Sequence, residues 1–263
     1  MSERRIRIRR GGPAELRYDT FTVPVHSRTT VLDALEYIRA RHDPELQYRH
    51  SCHHGSCGTC GMIVNGEQKL ACLANVEEMV RAEGPDDADA PASANDPAGE
   101  GERGAATAAR GSDAHGSPET ADITVEPHDA FAHLMDLAVD PTGFFDRYPE
   151  NATYLRTSET NKSAPVPPEV SAEGSSGFER FENCIECGLC VSACPVTQAF
   201  VGPATLAAFH RELKNRPDRR EEILGMVDTK DGVWACQRAL NCSRVCPTGV
   251  YPAKHIAMLQ RHL

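Results

Sequence analysis

The spacing of eleven cysteines constrains this 263-residue chain more than any other feature of its sequence. An odd number of cysteines cannot close into disulfides alone, and spaced thiols in a reducing compartment favour metal sites over bridges. We expect a reducing compartment because the first ten residues are charged and lack the apolar stretch of a secretory signal. The cysteines are therefore predicted to bind metal, and their positions divide them into three groups.

The first group has the spacing C-x4-C-x2-C-x11-C and consists of Cys52, Cys57, Cys60 and Cys72. This spacing is typical of plant-type [2Fe–2S] clusters, in which one tight loop supplies three of the thiolates. Glycines at positions 55, 58 and 61 allow the backbone to approach the cluster closely. A structural zinc site is the alternative, although such sites usually pair two C-x2-C units and this group contains one.

Three histidines, His50, His53 and His54, crowd the same loop. A Rieske centre would use two histidines on one iron, but four cysteines at this spacing make histidine ligands unnecessary. We expect these histidines to be exposed loop residues, at most one of which tunes the cluster through a hydrogen bond.

The second and third groups follow one template, C-x2-C-x2-C-x3-C-P, which is the cysteine run of bacterial ferredoxins. The second group fits it completely and consists of Cys184, Cys187, Cys190 and Cys194. The third group lacks one thiolate and consists of Cys236, Cys242 and Cys246. Ala239 stands where the second cysteine of the third group would be. The template prolines are Pro195 and Pro247.

In two-cluster ferredoxins the fourth cysteine of each run ligates the other cluster. This rule assigns a [4Fe–4S] cluster to Cys184, Cys187, Cys190 and Cys246. The other cluster receives Cys194, Cys236 and Cys242. Because the methyl group of Ala239 cannot coordinate iron, we predict a vacant corner and therefore a [3Fe–4S] cluster. The alternatives are zinc, or a [4Fe–4S] cluster whose open iron binds water.

The N-terminal part of the chain is predicted to be a compact α+β unit. Its strands are expected over residues 5–9, 16–25 and 123–126. Alternating arginines give the first strand a basic face, which we interpret as a solvated edge of the sheet. Thr30 begins a capping box that predicts a helix, and Asn65-Gly66 predicts the type I′ turn of a hairpin.

Helical signals dominate the C-terminal part of the chain, at residues 204–213, 219–226 and 253–263. Asp140-Pro141 is expected to open a short helix, and a polar, proline-rich connector follows at 158–176. We therefore predict two cysteine-bearing domains, at residues 1–135 and 136–263.

Residues 82–119 contain nine acidic and two basic residues and no large apolar side chain. Such a segment cannot bury enough apolar surface to offset the entropy of ordering, so we expect a disordered acidic insertion. The formal net charge of the whole chain is −10, which argues against a nucleic-acid partner recognised through a basic field. No run of 18 apolar residues occurs, so no membrane span is expected.

A plant-type [2Fe–2S] domain followed by a bacterial-type domain with one defective motif resembles the iron–sulfur subunit of the succinate dehydrogenase/fumarate reductase (respiratory complex II) family. The resemblance extends to residues 136–140, to Gly202-Pro203-Ala204 and to residues 241–247, and covers nearly the whole chain except the acidic insertion. It implies an α+β chain, with an N-terminal β-grasp plant-type ferredoxin domain before a mostly α-helical bacterial-type ferredoxin domain.

The resemblance also implies an oxidoreductase subunit that relays electrons. In the family, a flavoprotein subunit with FAD oxidises succinate or reduces fumarate, and three clusters connect it with quinone in a membrane anchor. The chain would then lie at the cytoplasmic face of the membrane, held there by partner subunits. The sequence agrees, because it contains no G-x-G-x-x-G motif after a strand and no acid–base constellation for a dicarboxylate.

Several residues depart from the family pattern. His53 stands where members often have arginine, Gln237 where they often have histidine, and the segment 196–200 is shorter and lacks tryptophan. Pro195, Trp234 and Gln237 are the candidates for the quinone vicinity, although we expect Trp234 to be buried beside its cluster. A fumarate reductase coupled to a soluble thiol or another non-quinone donor, and a zinc-stapled interaction protein, are the competing hypotheses.

Overall fold

The computed structural model describes residues 2–81, 121–148, 183–196 and 200–263. The predicted acidic insertion at 82–119 and the connector at 158–176 lie outside the described residues. Within the described ranges, no helix combines the length and the apolar character that crossing a membrane requires.

The N-terminal part is built on a five-stranded sheet. Its strands are β1 (Ser2–Arg10), β2 (Arg17–Val25), β3 (Gly61–Val64), β4 (Glu67–Leu70) and β5 (Ile123–Pro127). Their order is β2-β1-β5-β3-β4, with β1 and β5 parallel and the other pairs antiparallel. Ile6 and Ile8 point into the core and are fully buried, as alternation along a strand requires.

The interpretation of β1 as an edge strand is wrong. β5 pairs with it in parallel on the side opposite β2, so β1 lies inside the sheet. Its arginine face is half-buried rather than fully solvated, and the guanidinium of Arg7 lies 4.0 Å from the ring centroid of Tyr18. This partner strand begins more than a hundred residues after β1, which is why local periodicity does not reveal it.

The predicted helix and hairpin are confirmed. α1 (Val31–Arg41) begins with a reciprocal capping box, in which the Thr30 hydroxyl and the Asp33 carboxylate each accept from the other residue's backbone N–H. In the β3–β4 turn both Asn65 and Gly66 have positive φ, at 50° and 78°, as a type I′ turn requires. A short helix, α2 (Val76–Arg81), follows the hairpin.

A second hairpin, β6 (Ala132–Met135) and β7 (Ala138–Asp140), was not foreseen from the sequence. A buried ion pair connects its turn to the end of β1. Asp136, 3% exposed, accepts hydrogen bonds from Arg10 Nε at 3.1 Å, Gly11 N at 2.8 Å and Gln47 N at 3.0 Å. Arg10, 4% exposed, also reaches Asp19 and Asp43. The predicted short helix follows as α3 (Thr142–Phe145).

The C-terminal part is helical, as predicted. Its helices are α4 (Leu189–Ser192), α5 (Pro203–Asn215), α6 (Arg220–Val227), α7 (Asn241–Arg244) and α8 (Pro252–His262). Two 3₁₀ turns occupy Pro217–Arg219 and Val233–Ala235. The longer helices α5, α6 and α8 enclose a core around Leu206, Ile223 and Leu259, each at most 1% exposed.

Replacing Asp136 by alanine should lower the free energy of unfolding by about 3 kcal/mol, because it breaks a buried, hydrogen-bonded charge pair. Asp136 has a φ of 51°, a conformation that asparagine tolerates, so Asp136→Asn should cost clearly less than Asp136→Ala. Denaturant titration of both variants measures the difference. Equal stability of Asp136→Ala and the wild type would show that the ion pair contributes nothing.

Candidate metal centres

The first cysteine group lies at one end of the five-stranded sheet. Cys52 and Cys57 are half-buried in the loop before β3, whereas Cys60 and Cys72 are buried next to the β3–β4 hairpin. The Cys60 carbonyl accepts a hydrogen bond from Ala71 N at 3.0 Å, which brings the residues around Cys72 against the loop. The hairpin therefore delivers the fourth thiol to the other three, as the spacing predicts.

The loop backbone favours a thiolate at Cys52. Backbone N–H groups of His54 and Ser56 point at its sulfur, at 3.5 Å and 3.3 Å. The His54 N–H contributes most to lowering the pKa of Cys52, to about 5. By contrast, burial raises the pKa of Cys60 to about 12, and its neighbours Cys72 and Cys57 oppose its ionisation further.

The structure brings Cys246 of the third group to the second group. Cys184, Cys187, Cys190 and Cys246 line one apolar cavity. Burial raises the pKa of Cys184 to about 12 and of Cys187 to about 11, and that of Cys190 lies well above its ordinary value. The negative charge of Cys246 adds to the shift in each of the three.

The remaining three cysteines surround a second cavity. Cys194, Cys236 and Cys242 line it together with Ala239. Burial raises the pKa of Cys194 and of Cys242, and Cys236 opposes the ionisation of both. The exchange of Cys194 and Cys246 between the two segments is the arrangement that the bacterial ferredoxin template predicts.

These donor sets fit iron–sulfur clusters. Thiols gathered in apolar cavities stay protonated unless a cation compensates the charge of their thiolates. Iron supplies that charge, and sulfur is the ligand of iron–sulfur clusters. Within the described residues no two of the eleven cysteines form a disulfide, and each belongs to one of the three sets.

Direct contact joins the first cysteine loop to the second. Gly58, with a φ of 70°, packs so closely that a Cβ there would lie 2.5 Å from the Ile185 carbonyl oxygen and 2.9 Å from Cys187 Cβ. A Cβ on Gly61 would lie 2.9 Å from His128 and 3.3 Å from the Cys187 carbonyl oxygen. The loop glycines thus bring the two sets of thiols together as well as giving room for a cluster.

His128 is a contact residue that sequence reasoning missed. It is 1% exposed and stacks on Phe131 at 4.5 Å between ring centroids. Its Nε2–H donates to the Cys187 carbonyl at 3.0 Å, and its Nδ1 accepts from Ala130 N at 3.2 Å. Burial lowers the pKa of His128 to about 4, so the ring is neutral and holds these bonds at pH 7. A lone histidine outside every cysteine motif gives no sequence signal for this position.

The histidines of the first loop are only partly as expected. His53 and His54 are exposed, but His50 is half-buried because its ring packs on Tyr48, with centroids 5.2 Å apart.

The expected burial of Trp234 is wrong, since the side chain is 55% exposed. Its indole N–H donates to Asp228 at 2.7 Å, which holds the ring on the surface. Pro195 and Gln237 line the cavity of the third cysteine set.

Comparison with known proteins finds one iron–sulfur family in each part of the chain. The "2Fe-2S iron-sulfur cluster binding domain" family matches residues 5–146, and the "4Fe-4S dicluster domain" family matches residues 180–250. The fumarate reductase iron–sulfur subunit of Escherichia coli O6:H1 is 30% identical over 244 residues, which cover 90% of this chain and 82% of the relative. The Mycobacterium tuberculosis counterpart is 30% identical over 245 residues, covering 90% and 81%.

More distant relatives extend the comparison. Mitochondrial succinate dehydrogenase [ubiquinone] iron–sulfur subunit 1 of rice (Oryza sativa subsp. japonica) is 26% identical over 240 residues, covering 88% of this chain and 70% of the relative. A chain of the Mycobacterium smegmatis Sdh1 complex in the apo form superposes with a TM-score of 0.64 at 19% identity. That alignment covers 98% of this chain and 94% of the other, and shows a common fold.

A mixed α/β fold with an N-terminal [2Fe–2S] domain and a C-terminal [4Fe–4S] domain defines an iron–sulfur protein of oxidoreductase complexes. The lengths of the aligned regions and the sequence identities then assign the chain to one family. It belongs to the family of iron–sulfur subunits of fumarate reductase and succinate dehydrogenase. The resemblance inferred from the cysteine spacing is confirmed.

Replacing Gly58 by alanine should separate the two cysteine loops. Gly66→Ala is a matched control, because Gly66 has a similar φ of 78° but nothing within 4 Å of an added Cβ. Both variants bear the strain of a left-handed alanine, about 1–2 kcal/mol. Gly58→Ala should lose about 1–3 kcal/mol more through overpacking. Anaerobic denaturation of both variants measures this difference, and equal losses would contradict the contact.

Proposed function

We propose that this chain relays electrons between a flavoprotein subunit, which exchanges them with succinate or fumarate, and quinone in a membrane anchor. The observation that carries the proposal is the arrangement of eleven cysteines in three neighbouring sets. Bound iron–sulfur clusters would supply reversible one-electron transfer there. The residues of the chain hold, space and shield the three sites.

The proposed ligands follow the three sets. Cys52, Cys57, Cys60 and Cys72 would hold the [2Fe–2S] cluster. Cys184, Cys187, Cys190 and Cys246 would hold the [4Fe–4S] cluster, and Cys194, Cys236 and Cys242 the [3Fe–4S] cluster. The last assignment is supported by Ala239, which lines the same cavity and offers no donor atom.

The contacts between the sets support a linear relay. Gly58, next to Cys57, packs on Cys187, so the first and second sets are neighbours. Cys190 is close enough to Cys242 for the charge of Cys242 to raise the pKa of Cys190, so the second and third sets are neighbours too. The second set therefore lies between the other two, as stepwise transfer along the chain requires.

The third set would deliver electrons to quinone. Pro195 and Gln237 line its cavity, and Trp234 lines an adjoining cavity of about 370 Å³ together with Cys236 and Ile256. The exposed side chains of Trp234 and Leu240, 55% and 50% exposed, support a partner surface there. We propose that this partner is the membrane anchor, which holds the chain at the cytoplasmic face.

We further propose that the first domain is a β-grasp plant-type ferredoxin and the second a bacterial-type ferredoxin. The mixed sheet, which shares its core with α1, supports the first assignment, and the exchange of Cys194 and Cys246 supports the second. The boundary between residues 135 and 136 stays a prediction.

The anaerobically purified protein, with the subunits that accompany it, should contain about nine irons per chain. EPR should detect a reduced-state [2Fe–2S] signal and an oxidised-state trinuclear signal, and succinate or fumarate should change both. A quinone analogue should accept or donate electrons in the same preparation. A colourless, zinc-rich protein, or redox exchange with soluble thiols but not with quinone, would contradict the proposed function.

Replacing Ala239 by cysteine should complete the third set with a fourth thiolate. The oxidised-state trinuclear EPR signal should disappear and iron should rise to about ten per chain. The midpoint potential of that cluster should fall, because an additional thiolate makes the site more negative. Turnover with quinone should slow, whereas turnover with an artificial acceptor at the flavoprotein should persist. Retention of the trinuclear signal and its potential would show that Ala239 does not mark the vacant corner.

A further inference from the structure

Glu36, His50 and His53 direct three metal-ligating atoms to one point on the surface beside the first cysteine loop. Glu36 Oε1 lies 3.5 Å from His50 Nδ1 and 3.6 Å from His53 Nε2. The two ring nitrogens are 2.9 Å apart. We propose that these side chains, the metal triad, bind a zinc-type divalent cation at a site separate from the cysteines.

The separations within the metal triad suit tetrahedral coordination. Zinc bonds to nitrogen and oxygen of about 2.0–2.2 Å place neighbouring tetrahedral ligand atoms about 3.3–3.6 Å apart. The two separations from Glu36 Oε1, 3.5 and 3.6 Å, fall in that range. The two ring nitrogens, 2.9 Å apart, would move slightly apart on binding. Two imidazoles and one carboxylate leave a fourth position for water, and this donor set favours zinc over magnesium or calcium.

Separate parts of the fold hold the three ligands in place. Glu36 lies on α1 next to Leu35, which is fully buried in the core, so the helix fixes its position. The ring of His50 packs on Tyr48, which is 8% exposed. His53 is held by a positive φ of 62° in the cysteine loop. The side chains are 27–43% exposed, so a solvent cation can reach them.

Arg39 opposes binding at the metal triad. A cation on His50 Nδ1 leaves the ring proton on Nε2, and Arg39 Nη2 lies 3.4 Å from that atom. The guanidinium also stacks over Tyr48, with its carbon 4.6 Å from the ring centroid. Metal-bound histidines normally donate this proton to an acceptor. A donor at this position therefore weakens the site, and an acceptor should strengthen it.

Occupancy of the metal triad would act on the neighbouring cysteine loop, because His53 directly follows Cys52. A divalent cation close to the Cys52 thiolate favours the more negative, reduced state of the cluster that this thiolate would bind. A bound cation should thus raise the midpoint potential of the [2Fe–2S] cluster. This consequence rests on the proposed function, whereas binding of the cation does not.

The test is a Zn²⁺ titration by calorimetry of the anaerobically isolated, iron-loaded protein, with iron content determined before and after. Glu36→Gln and His53→Asn should weaken Zn²⁺ binding by about 100-fold or more, since loss of an outer contact alone weakens metal binding by about 10–100-fold. Asparagine tolerates the positive φ at position 53. The control His26→Gln removes an exposed histidine elsewhere and should bind as the wild type does.

The second arm of the test replaces Arg39, whose positive charge opposes metal binding. Arg39→Gln puts an amide oxygen acceptor near His50 Nε2 and should tighten Zn²⁺ binding by about tenfold. Arg41→Gln, which removes an exposed arginine from the last turn of the same helix, should not change it. Redox titration followed by EPR should show a Zn²⁺-dependent rise of the [2Fe–2S] potential in the wild type and none in Glu36→Gln.

Absence of Zn²⁺ binding in the wild type, or equal affinity in the wild type, Glu36→Gln and His53→Asn, would overturn the proposed site. An unchanged affinity in Arg39→Gln would overturn the role given to Arg39. Binding that depends on the metal triad in a protein without a [2Fe–2S] signal would support the cation site and contradict the proposed electron relay.

Discussion

The burial of ionisable cysteine thiols is the constraint on which the rest of this structure depends. Seven cysteines of the C-terminal part line two cavities. Burial raises the pKa of five of them, Cys184, Cys187, Cys190, Cys194 and Cys242. α4 and α7, which carry two of these cysteines, have four residues each and are far too short to be stable alone. Ligation by iron would give these segments the stability that their hydrogen bonds cannot, because metal-binding free energy adds to folding free energy when the unfolded chain has no site.

The two domains share part of one hydrophobic core. Leu189 of the C-terminal part is 1% exposed within the hydrophobic cluster of the N-terminal sheet, and Ile185 and Val245 pack against that cluster. Gly58 and His128 complete the junction through close packing and a hydrogen bond to the Cys187 backbone. Since this junction is buried and densely packed, the spacing between the first two cysteine sets is fixed by the fold rather than by the partner subunits.

Features with a local cause could be read from the sequence. The capping box at Thr30, the type I′ turn at Asn65-Gly66 and the three cysteine groups each depend on residues a few positions apart. Features that depend on distant partners could not. β1 is an interior strand because β5 returns to it, and His128 meets Cys187 only once both domains are folded.

Trp234 illustrates the same limit at the level of one side chain. Hydrophobicity and its position two residues before Cys236 favoured burial, but Asp228 binds the indole N–H and keeps the ring at the surface. The buried Arg10–Asp136 pair was equally invisible, because a charged residue in a basic strand and another in a turn carry no signal of each other.

The exchange of Cys194 and Cys246 has a consequence for how the subunit matures. Each cavity takes cysteines from both segments, so neither is complete until residues 184–194 and 236–246 have come together. On the proposed ligand assignment, neither site could bind its full cluster before the two segments have come together, and both sites would then be complete at once. Half-loaded intermediates would leave both segments unanchored and open to proteolysis. On that assignment, the two clusters of this half of the subunit would form in one cooperative step.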